Sequence, residues 1–199
     1  MEDLKALFID MLRRTKREGI EDLIKYLEDS DFFTAPASTQ YHNSYEGGLL
    51  EHSINVYNSL VFEYENLKDA EFNLPEIPED SLVIAALLHD ICKVNCYVES
   101  TRNVKNEKTG AWEKVPYYKR EPKMPMGHGG KSVFIAQQFI KLRPFEAQAI
   151  FWHMGAWDTS PYMTLNELSQ SFEMNLLALL LHQADMRATY LVENENYNN

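Results

Sequence analysis

Cysteine is almost missing: Cys92 and Cys96 are the only two in 199 residues. So few thiols exclude a disulfide scaffold, and the lack of a second pair excludes a zinc knuckle. Spaced C-x-x-x-C at an expected helix end, they read as reduced core thiols of a cytoplasmic protein. No apolar run reaches membrane-spanning length, and the opening Met1-Glu2-Asp3-Leu4-Lys5 lacks a signal-peptide pattern. A soluble chain with no membrane partner is expected. Internal repeats and linker-like stretches are lacking too, so 1–199 is expected to be one domain, with length enough for one proper core. Positive charge is scarce: a formal net charge of −11 argues against a groove for long nucleic acid.

That deficit is uneven. From Ile91 to Lys131, nine basic residues (among them Lys93, Arg102, Lys119, Arg120 and Lys131) face only four acidic ones. A basic insert flanked by candidate metal ligands points to an anionic, phosphorylated partner. The competing reading is a solvated hairpin whose charges only keep it soluble.

What the chain does have is helical periodicity. Apolar residues from Leu4 to Leu27 recur at helical spacing, with a break at Gly19, and predict an N-terminal helical extension over about 1–30. Ser30 to Tyr45 reads as a loop. A helix is expected after Gly47-Gly48 with His52 near its start, and another after Pro78, with Glu79-Asp80-Ser81 supplying an N-cap and early negative charge. Alternation around Lys108-Thr109-Gly110 predicts a β-hairpin insert at about 95–122. Further helices are predicted from His128 through Leu142, from Pro144 to His153, and from Met174 to near Val192. Ala156 to Thr164 is expected to be a loop, and Glu193 to Asn199 a fraying tail.

Against this frame one stretch stands out, Ala85-Ala86-Leu87-Leu88-His89-Asp90-Ile91-Cys92-Lys93. An apolar run ends in an adjacent imidazole and carboxylate, groups that are costly to bury unless something pairs with them. An ordinary capped helix end would account for them, and so would a divalent metal ion. His52, His128, His153 and Asp185 likewise sit at anomalous places on separate predicted helices. Four histidines and two carboxylates suit one or two first-row transition metals, and helix bundles build such sites from inward-facing side chains.

The order His52 … His89-Asp90 … His128 … His153 … Asp185 resembles the HD-domain superfamily of metal-dependent phosphohydrolases. The strings Gly-Gly-Leu-Leu-Glu-His-Ser (47–53), Leu-Leu-His-Asp-Ile-Cys-Lys (87–93), Gly-His-Gly-Gly (127–130) and Leu-His-Gln-Ala-Asp (181–185) look most like the HD domain of bacterial 3′→5′ exoribonucleases. The resemblance implies an all-α HD bundle with a core over about 42–192. It implies His52, His89, Asp90 and Asp185 around one metal, with Asp90 bridging to a second held by His128 and His153. The ion could be Mn, Fe, Co, Ni or Zn. Lys93 falls where such domains keep a phosphate-binding or charge-stabilising lysine, and His42 and His182 fall where relatives carry histidines. Cys92 stands in place of a usual glycine, and Met154 in place of a second consecutive histidine. Residues 1–40 cannot supply the nucleic-acid-binding domain of the exoribonucleases, so a nucleotide, small phosphodiester or short oligonucleotide is the expected substrate. Lys93, His42, Arg102, Lys119, Arg120 and Lys131 are the candidate substrate contacts, Asp90 and Lys93 the catalytic pair, and the hairpin a lid. Two other classes remain open: a di-iron oxygenase of the inositol-oxygenase type, which resembles the same ligand order, and a non-catalytic metal-binding regulatory module.

Overall fold

Helices dominate the chain, as its apolar periodicity predicts. The computed structural model describes residues 1–40, 42–70, 72–158, 165–194 and 196–197. In order these form α1 (Glu2–Arg14), α2 (Ile20–Asp29), α3 (Gly48–Asp69), α4 (Glu79–Leu88), β1 (Tyr97–Lys105), β2 (Trp112–Arg120), α5 (His128–Ala136), α6 (Pro144–Trp152), α7 (Leu165–Met174) and α8 (Leu176–Arg187). Short 3-10 turns cover Ile91–Lys93 and Gly155–Asp158, and a π turn, Ala188–Val192, follows α8. Tyr41 and the part of the expected 156–164 loop from residue 159 on lie outside the described residues.

The centre is α4. Every residue from Ser81 to Leu88 is buried, and a helix apolar all round has to be enclosed. It is enclosed by α1, α3, α6 and α8, while α5 packs on α6 and α7 on α8. The break expected at Gly19 is real. Its φ is +82°, and a Cβ there would lie 1.9 Å from the Phe139 carbonyl oxygen, so this turn needs glycine on two counts. The antiparallel hairpin pairs Tyr97 with Arg120 through Lys105 with Trp112. It joins the body through few bonds, among them Glu121 N–H to the Cys96 carbonyl (2.8 Å) and Tyr97 Oη to the Ala37 carbonyl (3.3 Å). Cys92 and Cys96 are free and buried, as expected. Among the described residues no helix is long and apolar enough to cross a membrane.

Three local expectations are corrected. Pro78 is the N-cap of α4, because Asp80 and Ser81 are recruited elsewhere. The α5 periodicity continues past Ala136 although the helix stops there; Ile140 and Leu142 are buried from the turn that follows. The helix expected from Met174 begins at Leu176 as α8, behind Asn175, whose side chain caps Leu177 N–H (3.1 Å), and α7 before it is a helix the periodicity does not predict.

What recruits Asp80 and Ser81 is a buried charge. Glu146, with 0% exposure, accepts from Ser81 Oγ (2.6 Å), from Arg143 N–H (2.7 Å) and from the Arg17 guanidinium. Arg17 and Arg143 also hold Asp80, at 2.8 and 2.9 Å. The cluster ties the α1–α2 turn to α4 and α6. Glu146→Ala, which removes the buried carboxylate that Arg17, Arg143 and Ser81 share, is expected to cost about 3 kcal/mol in urea unfolding. A loss under about 0.5 kcal/mol would show the cluster to be ornamental.

Candidate metal centre

Helix ends position the histidines. At the C-terminus of an α-helix the last carbonyls have no intrahelical partner. His89 is the C-cap of α4, and its Nδ1 donates to the Ala86 carbonyl (2.7 Å). His153 is the C-cap of α6, and its Nδ1 donates to the Ile150 carbonyl (2.6 Å). Both rings therefore turn Nε2 inward. His52, one turn into α3, reaches the same state differently: its Nδ1 donates to Glu193, at 3.0 Å to Oε1 and 3.2 Å to Oε2. His128 opens α5, where Gly129 allows close approach to α6; a Cβ there would lie 2.0 Å from the Phe151 carbonyl oxygen. Asp158 fastens that turn by accepting from Gly129 N–H (3.0 Å).

These elements bring together all six residues singled out as a ligand set. Asp90 lies between two groups of rings, and its oxygens face opposite ways. Oδ1 is 2.5 Å from His128 Nε2 and 3.6 Å from His153 Nε2. Oδ2 is 3.5 Å from His89 Nε2, 3.7 Å from His52 Nε2 and 2.6 Å from Lys93 Nζ. Asp185 Oδ1 closes the second group, 3.2 Å from His52 Nε2. The donor atoms of His52, His89 and Asp90 lie within 4.8 Å of one another, as do those of Asp90, His128 and His153.

The electrostatics of the cluster fit a cation. With Nδ1–H committed outward, the Nε2 atoms of His52 and His89 face each other across 3.3 Å, beside the carboxylates of Asp90 and Asp185. His153 Nε2 is buried with no hydrogen-bond partner among the described residues. Burial would raise the Asp90 carboxyl, but Lys93 and the surrounding imidazoles outweigh it and hold it well below the usual range. Asp185 is held down in the same way by His52. Burial pulls the His52 imidazole down, yet Asp185 and Glu193 push it up to about 9. Buried carboxylates that keep their charge in this way attract positive charge, and imidazole nitrogens with carboxylate oxygens are the donors that divalent transition metals take.

Of the cluster, His128, His153 and Asp185 line a cleft of about 1200 Å³, together with His42, Lys93, Met154, Trp157, His182 and Tyr190. His42 is lowered to about 4, by burial first and then by His52 and Lys93, and neither ring nitrogen has a hydrogen-bond partner among the described residues. His182 Nδ1 donates to the His153 backbone carbonyl (2.6 Å), fixing the turn that carries His153. The basic insert is divided. Arg102 reaches the rim through Gln40 (3.2 Å), and Lys119 pairs with Glu121 on the exposed hairpin; neither lines the cleft. Arg120 and Lys131 line a separate cavity of about 360 Å³ behind His128, with Lys131 Nζ donating to the Cys92 carbonyl (2.6 Å). Glu193, Asp158 and Trp157 went unnoticed as site residues. Only their aromatic or acidic character could have marked them, since their roles depend on distant partners.

The sequence profile of the HD domain family matches residues 49–189, which takes in all six residues of the cluster. Over 99 residues the chain is 33% identical to the dihydroneopterin 2′,3′-cyclic phosphate phosphodiesterase of Methanocaldococcus jannaschii. That stretch is 49% of this chain and 37% of the relative, so the chain spans well under half of the protein it resembles. No solved structure matches the chain significantly.

Proposed function

The chain belongs to the HD domain family, and on that premise we propose that it is a metal-dependent phosphohydrolase acting on a small phosphodiester. The observation that carries the reading is the Asp90 carboxylate with its two oxygens turned to two histidine groups. A closed structural site needs no bridging carboxylate and no open cleft above it, whereas two-metal hydrolysis uses both. We assign one ion to His52, His89, Asp90 and Asp185 and a second to Asp90, His128 and His153. When bound, divalent cations supply Lewis acidity toward the phosphoryl group and acidify a water.

The chain's own residues do the rest. Asp90 and the four imidazoles fix the centre on the ends of separate helices, so its geometry is set before substrate arrives. The buried ammonium of Lys93, 8% exposed on the cleft floor, offsets negative charge that grows on the phosphoryl oxygens. Trp157, 63% exposed at the cleft, offers a flat apolar wall for a ring system. A planar heterocycle carrying a phosphodiester is thus the substrate class, and the relative's cyclic phosphate supports it.

The test is metal content by elemental analysis of protein purified without chelator, followed by assays on nucleoside 2′,3′-cyclic phosphates with Mn, Fe or Co. About two ions per chain and chelator-sensitive hydrolysis are expected. No bound metal after reconstitution would overturn the reading. Oxygen uptake without hydrolysis would replace it with the oxygenase chemistry that shares this ligand order.

A further inference from the structure

We infer that Glu193 is a positioning residue for the metal centre, holding His52 by its outer nitrogen while Asp185 faces the inner one. The inference rests on reading the cluster as a metal site. His89 and His153 obtain their orientation locally, from carbonyls three residues back at helix C-termini. His52 cannot, because it lies near the N-terminus of α3, where carbonyls already serve helical bonds. Its Nδ1–H goes instead to a carboxylate 141 residues away in sequence.

That carboxylate is built for the purpose. The Glu193 side chain is 1% exposed, and Asn55 Nδ2, one turn along α3 from His52, donates to the same Oε1 (3.0 Å). The π turn brings it there: Glu193 N–H bonds to the Ala188 carbonyl (2.9 Å), five residues back. One extra residue in a turn re-phases the chain after it by roughly 100°. A single C-terminal segment therefore places Asp185 at Nε2 (3.2 Å) and Glu193 at Nδ1 (3.0 Å) of one imidazole. Among the described residues, three of the four rings that turn Nε2 to Asp90 have an Nδ1 partner, and of these three His52 alone has a charged one. A carboxylate at the outer nitrogen fixes the tautomer and strengthens the inner nitrogen as a donor, and loss of such a partner costs metal affinity about 10- to 100-fold.

The experiment titrates the metal-free 199-residue chain with Zn²⁺ against a chromophoric chelator and with Co²⁺ by visible absorption. It compares wild type, Glu193→Gln, Glu193→Ala and Asn55→Ala. Gln keeps an acceptor for Nδ1–H and loses the charge; Ala loses both. The expected result is a Zn²⁺ affinity about 10-fold weaker in Glu193→Gln and about 100-fold weaker in Glu193→Ala, with altered Co²⁺ bands and unchanged circular dichroism of the metal-free proteins. Asn55→Ala, which leaves the carboxylate in place, is expected to fall between wild type and Glu193→Ala. Wild-type affinity and wild-type Co²⁺ bands in both Glu193 variants would overturn the inference while leaving the metal centre standing. So would an affinity loss that tracks only a loss of circular dichroism. Failure of the wild type itself to bind Zn²⁺ would overturn the parent reading, and this inference with it.

Discussion

Asp90→Ala is expected to abolish metal binding and turnover together, the largest effect of any single change in this chain. The carboxylate lies between both histidine sets, so its removal takes a ligand from each proposed ion. It also removes the carboxylate that pairs with Lys93, leaving an ammonium beside the imidazoles and less negative charge to draw a cation. The expected outcome is metal content falling from about two ions per chain to near none, and hydrolysis of a 2′,3′-cyclic phosphate falling by at least about 10³-fold. Asp90→Asn separates charge from shape. It keeps an oxygen for one side only, so retention of one ion with activity near background is the expected result. Full metal content in Asp90→Ala would show that the centre lies elsewhere.

The legible and illegible parts of the site differ in the sequence distance over which their physics acts. His89, Asp90 and His153 were readable because an ionisable group ending an apolar run is anomalous within a few residues, and His89 and His153 do cap the helices that precede them. Lys93 was readable from local spacing and does meet Asp90, although through a 3-10 turn and not a continuous α-helix. Gly19 and the hairpin turn carry their own backbone chemistry. Glu193 was not readable. Its polar neighbours mark a tail, and only a π turn and a partner far back in the chain bury it. The same distance problem hid Ser81, whose hydroxyl is taken by Glu146 and not by its own helix end. Periodicity misled in α5 because spacing reports burial, and Ile140 is buried after the helix has stopped. The excess of positive charge in the insert was real as a count. Which cation meets the cleft depends on where the hairpin projects, and Lys119 projects away while Lys93 stays on the floor.

Lys93→Ala is expected to separate chemistry from metal binding. The ammonium competes with any cation for Asp90 Oδ2, from which it is 2.6 Å, so its removal should leave Zn²⁺ affinity unchanged or tighter. Catalysis responds the other way. Burial disfavours the charged form of Lys93, but Asp90 outweighs burial and pushes the group above its ordinary range, so a full positive charge faces the cleft at neutral pH. A fixed charge in a partly desolvated cleft stabilises a transition state more than it would in water, and losing one such group costs about 10²- to 10³-fold in kcat. The signature is a fall in kcat with KM little changed, which marks an interaction made in the transition state and not in ground-state binding. Lys93→Arg retains charge in a wider, planar group and should recover part of the loss. Loss of metal from Lys93→Ala equal to that from Asp90→Ala would make the lysine a structural counter-ion and leave the phosphoryl charge without a protein partner. A rise in KM alone would place Lys93 in substrate capture and move the charge-offsetting role to the metal ions.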